Sequence, residues 1–124
     1  MSEVDFLFCE KPPQQEGAVI DIPTGLGQKK LLIDAYRSAG FPGYLANNWD
    51  SLFDCLRDFS WIEKRVIQIL HHDLPMSDDV EGQRVYLSLL ADAVGDWQGD
   101  EAHRLEVVFP LRCKATVQHL LRFR

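Results

Sequence analysis

Asp50 and Asp54 stand four residues apart in the stretch WDSLFDCL with Phe53 between them, and a loop offering Tyr44 and Asn48 comes just before. Residues four apart share a helix face, so this spacing gathers two carboxylates and an aromatic ring on one side. Like charges so placed repel by roughly 0.2 to 0.5 kcal/mol. Asp50 falls in the first turn, where the helix dipole favours a carboxylate, whereas Asp54 lies past it and gains little. The constellation suits recognition more than bond-making: an aromatic anchor beside carboxylates that await a cationic partner. The plainer reading is a solvated helix face on which Arg57 pairs with Asp54 and Phe53 is half buried.

Other reactive side chains carry less. Cys55 as a nucleophile with His71 or His72 as its base would make an enzyme, but Cys55 sits in the apolar stripe Leu52, Cys55, Leu56, Phe59, and a buried cysteine behaves as a small inert hydrophobe. His71, His72 and Asp73 follow an apolar run, where ligands of α/β proteins tend to bind. Adjacent histidines point to opposite sides of an extended chain, and His103 and His119 add no ligand spacing, so a polar strand exit is expected rather than a metal site. Gly25 and Gly27 lack the companion residues of a phosphate loop. No enzyme, cofactor or metal is expected.

The elements that must hold these residues come from local pattern. The chain has 124 residues, of which 46% are hydrophobic, enough for one packed core, so residues 1–124 are read as a single domain. AVIDI (18–22) is expected as a buried first strand. A helix over 28–39 is predicted to turn Leu31, Leu32, Ala35 and Ala39 inward and to stop at Gly40. FPGYLAN (41–47) is a loop, and Asn47 or Asn48 caps a helix running to about Ser60. RVIQIL (65–70) forms the next strand, a helix supported by Val80, Tyr86, Leu87, Leu90 and Val94 runs from about Asp79 to Asp96, and RLEVVF (104–109) closes the set. Strands separated by helices imply an α/β fold with a small parallel sheet of three strands. VDFLFC (4–9) is at most a short strand in an appended N-terminal segment, and the basic stretch 110–124 is left open between strand and helix.

Composition narrows the partners. Thirteen Lys plus Arg against nineteen Asp plus Glu give a net charge of −6, which repels a phosphate backbone, so nucleic acid is not the expected partner. No apolar run nears the roughly 20 residues of a membrane span, and the first ten residues lack a signal peptide's basic start. The three widely spaced cysteines fit reduced thiols better than a disulfide framework. A soluble cytoplasmic protein is expected.

The stretch from Phe41 to Phe59, FPGYLANNWDSLFDCLRDF, resembles the barstar family of ribonuclease inhibitors, in which a loop with Pro and Tyr leads through Asn into a helix of the pattern leucine-Asp-x-Leu-Trp-Asp-Cys-Leu. Tyr44, Asn48, Asp50, Leu52, Asp54, Cys55 and Leu56 stand at matching positions, and the order of elements agrees loosely over 18–109, leaving 1–17 and 110–124 as additions. The resemblance implies an inhibitor that plugs the active site of a basic ribonuclease, one to one. Asp54 would then enter the phosphate site, Asp50 would bind an Arg or Lys beside it, Tyr44 would pack on the catalytic histidine, Asn48 would make backbone-type hydrogen bonds, and Phe53 would fill the centre. Asp92 is the best match to a further acidic contact. Phe53 stands where the family often has Trp, Leu45 where it has a second Tyr, Ala46 where it has Gly and Trp49 where it has Leu. These departures lie within the expected contact surface and imply a different target nuclease, or one with a reshaped rim. An acidic module for some non-nuclease partner is the competing reading.

Overall fold

The computed structural model describes residues 6–11 and 17–122. Four strands and four helices follow in the order β1 (Leu7–Cys9), β2 (Ala18–Ile22), α1 (Lys29–Ser38), α2 (Trp49–Leu56), β3 (Val66–His71), α3 (Val80–Trp97), β4 (Arg104–Pro110) and, after one 3-10 turn, α4 (Lys114–Arg122). All the strand pairs are parallel, and the sheet runs β1-β4-β3-β2. Alternation along the strands sends Ile20, Ile22, Ile67, Ile69, His71, Leu105, Val107 and Phe109 to one face, all of them buried. The opposite face is more polar: Gln68 lies beside Glu106 in register and hydrogen-bonds to it at 3.4 Å, and Arg104 pairs with Glu106 at 3.1 Å.

The sheet therefore has four strands where three were expected. The extra strand comes from the N-terminal segment: Leu7 pairs with Val108, Phe8 with Phe109 and Cys9 with Pro110. Phe6 is buried just before it, its ring 5.6 Å from that of Phe109. Local pattern could not show this pairing, because the partner strand lies at the far end of the sequence. Val4 and Asp5, included in the expected strand, fall outside the described residues, as does Arg124 of the basic stretch. That stretch resolves into α4, which turns Val117, Leu120 and Leu121 inward.

Other expectations shift by a residue or by a face. β2 is an edge strand rather than a buried one, with Val19 49% exposed. α1 buries Leu32, Ile33 and Tyr36, while Leu31 is 45% exposed; three consecutive apolar residues left two possible stripes, and the sheet selects the one that carries Tyr36. The helix stops where Gly40 takes φ +103, a conformation open to glycine. β3 begins at Val66 and includes His71, so that residue enters the core instead of forming a polar exit. Val80 is exposed at the first position of α3, since Asp79 caps the helix by accepting from the Gly82 N–H at 3.0 Å. α2 ends at Leu56 rather than near Ser60, because Phe59 adopts φ +50 and turns the chain left-handed. That backbone is unfavourable for an aromatic residue. The ring is held by Phe41, Trp61 and Trp97 at centroid distances of 6.2, 5.6 and 6.0 Å, so Phe59 still completes the stripe Leu52, Cys55, Leu56.

If β1 is an integral strand, Phe6→Ala should lower the unfolding free energy by about 3 kcal/mol, as for a buried aromatic truncated in a core. Urea titration reads this directly; a change under about 0.5 kcal/mol, typical of surface substitutions, would show that the strand is merely appended.

Candidate functional site

The loop 41–48 and α2 form one surface, and most of their polar atoms are used to hold its shape. Asn48 caps α2, its side-chain oxygen accepting from the Ser51 N–H at 2.7 Å. The Ser51 hydroxyl in turn accepts from the Ala46 N–H at 2.8 Å. Arg37, at the end of α1, donates from Nη2 to the Leu45 carbonyl and to Asn47 Oδ1, both at 2.8 Å, and is itself steadied by Asp34 at 2.7 Å. A loop rich in Pro, Gly and Asn is thereby fixed from both sides. Pattern reading missed Arg37 and Ser51, because their contacts join segments that no periodicity relates.

On this frame Tyr44 stands 64% exposed, and its hydroxyl donates to Asp58 Oδ2 at 2.8 Å. The bond to that carboxylate pushes the Tyr44 hydroxyl up to about 12, so the ring is neutral and oriented at physiological pH. Asp50 and Asp54 are both exposed. Phe53 is half buried rather than fully outward, packed against the core at its inner edge. The Arg57 guanidinium lies 4.1 Å from the Phe53 ring centre and pairs with Asp54 at 3.0 Å, so the structure contains the pairing of the plainer reading. The other Arg57 nitrogen is 3.7 Å from Asp96 on α3. Asp92, one turn before Asp96 on that helix, is exposed. Asp96, at i+4 from Asp92, reaches the α2 surface through Arg57, and its spacing was the signal that could have found it.

Trp49 is only half exposed, its ring 6.1 Å from that of buried Tyr86 and with Lys29 Nζ 5.8 Å from its own centre. It thus joins α2 to a hydrogen-bonded file in the core. His71 Nδ1 lies 2.9 Å from the Val108 carbonyl, which can only accept, so that nitrogen carries the proton. The opposite nitrogen accepts from the Tyr86 hydroxyl at 2.6 Å, and Tyr86 accepts from Tyr36 at 2.6 Å. Burial drives the His71 pKa down to about 3.

The remaining reactive groups are placed apart. Cys55 is buried in the α2 stripe, and burial, then the neighbouring Asp58, raises its thiol pKa, which disfavours the nucleophilic thiolate. His72 points outward to Asp21 at 2.6 Å while His71 points in. Among the described residues no group of three or more His, Cys, Asp or Glu is arranged to hold a metal ion, and no helix is long and apolar enough to cross a membrane.

These features define a small parallel α/β protein that presents a braced loop bearing exposed Tyr44, followed by a helix with two exposed carboxylates. The chain belongs to the barstar family: the family model described as Barstar (barnase inhibitor) matches residues 17–110. The matched range holds β2 to β4 with α1 to α3, and leaves β1 and α4 outside it. No curated protein and no solved structure matches the chain.

His71 sets a pH limit on this scaffold. An unfolded chain takes up a proton at His71 below about 6.5, while the folded protein resists until about 3. The unfolded state therefore binds more protons between those values, and stability is lost as pH falls, by up to about 1.4 kcal/mol per unit. Denaturant melts from pH 7 to pH 4 should show this slope in the native sequence and lose that component in His71→Gln; equal slopes in both would assign acid sensitivity to other groups.

Proposed function

We propose that the protein inhibits a basic ribonuclease by covering its active site, one to one, with loop 41–48 and the exposed side of α2, and performs no chemistry of its own. The observation that carries this reading is the exposed carboxylate pair Asp50 and Asp54 on a helix whose entry loop is braced by Arg37, Asn48 and Ser51. A ribonuclease site made to hold phosphate is cationic, so carboxylates can occupy it in place of the phosphate. Asp54 takes the phosphate position, Asp50 an adjacent Arg or Lys, and Tyr44 stacks on the catalytic histidine. Ala46, Asn48, Trp49 and Phe53 complete the contact, and Asp92 adds charge from α3. Acting in the cytoplasm, such a protein shields cellular RNA from a nuclease, either the cell's own or a competitor's.

Barnase is the direct probe, since the family is described by it; a panel of basic ribonucleases extends the test. Asp54→Ala should weaken binding by about 2 to 5 kcal/mol, mainly through faster dissociation, a range for which the barnase–barstar complex is itself the type example. Fold stability should change little, because the Asp54 to Arg57 pair is exposed, 72% and 43% at the two side chains, and such pairs contribute about 0 to 1 kcal/mol. Leu52→Ala, fully buried, is the control: it should cost about 2 to 5 kcal/mol of stability and reduce binding only through that loss. If no basic ribonuclease is inhibited, the reading is wrong and an acidic module for another partner takes its place.

A further inference from the structure

The face on which this reading rests already holds a cation of its own. Arg57 closes the C-terminal end of α2 and lays its guanidinium over the Phe53 ring at 4.1 Å. The same group reaches Asp54 at 3.0 Å and Asp96 at 3.7 Å. One side chain thereby masks both an aromatic anchor and the carboxylate beside it. We infer that Arg57 is an intramolecular competitor for Asp54 and Phe53, and so a specificity-determining residue that any cationic partner must displace. Taking that partner to be a ribonuclease rests on the proposed function; the competition itself does not.

The hold is of the right strength for displacement. An exposed i, i+3 pair is weak and screened by salt, and a cation over a half-buried ring at the surface adds a comparable amount. A lone flexible ammonium gains one contact at Asp54, yet must undo contacts that a planar guanidinium makes with ring and carboxylate together. A rigid cluster of guanidinium groups replaces those contacts all at once. Asp96 remains within reach of the displaced Arg57. The device biases the surface against stray amines and toward a preorganised cationic site.

Hexa-arginine peptide and barnase serve as separate probes in equilibrium binding. Arg57→Ala should tighten peptide binding about fivefold, equivalent to roughly 1 kcal/mol. Lys30→Ala removes one charge from a comparable exposed pair, Lys30 to Asp34 on α1, and should change binding by less than about twofold, as expected of distant screened charge. In an Asp54→Asn background the gain from Arg57→Ala should shrink to the share that uncovering Phe53 supplies. No gain from Arg57→Ala, undetectable binding included, overturns the inference, as does an equal gain from Lys30→Ala or an undiminished gain without Asp54. If the peptide shows the expected order while barnase binds none of the variants, the ribonuclease reading fails and the competition stands. If barnase is inhibited and the peptide order is absent, the reverse holds.

Discussion

A file of hydrogen bonds through the core, Tyr36 to Tyr86 to His71 to the Val108 carbonyl, sets the geometry on which the other elements depend. It joins α1, α3, β3 and β4 with groups almost wholly removed from water. In such surroundings each made bond is strong and each unmade one costly, so the four elements have one favourable arrangement. The neutral imidazole is essential to that direction of donation, since a protonated ring would have no acceptor for the Tyr86 hydroxyl. Trp49 rests its ring against Tyr86. The pose of α2 is referred to the file through that contact.

Rigidity then passes outward. Arg37 leaves the end of α1 to hold the loop carbonyl of Leu45, Asn48 and Ser51 close the entry to α2, and Asp58 fixes the Tyr44 hydroxyl. Association costs less when side chains and loops are ordered beforehand. An acidic surface arranged in this way differs from the acidic helix ends found on many proteins, where carboxylates are solvated but not positioned. The left-handed turn at Phe59 belongs to the same scheme: it directs the chain away from α2 one residue after Asp58, the carboxylate that holds Tyr44.

Local periodicity read α2 well, because Leu52, Cys55, Leu56 and Phe59 are separated by apolar-to-polar contrast and one face is plainly preferred. It misjudged α1, where Leu31, Leu32 and Ile33 are consecutive and only the sheet decides which turn inward. His71 and His72 looked alike in sequence, yet one lies in the core and the other pairs with Asp21 at the surface; a strand that continues one residue further makes the difference. The carboxylates, Tyr44 and Asn48 were apparent from residue type and spacing. The residues that brace them, Arg37, Ser51 and Asp96, were not, since each acts across a distance that only the folded chain closes.

The sheet also orders events in time. Leu7 is made on the ribosome long before its partner Val108, which follows it at great sequence separation. Closing so long a loop before other contacts exist is entropically costly. The apolar side chains of Phe6 and Phe8, which pack on Phe109 in the finished fold, must therefore wait until β4 has been made. During that interval they are open to chaperones or to premature association. β1 thus acts as a clasp that only β4 can fasten, and a chain cut short before β4 would leave it undone.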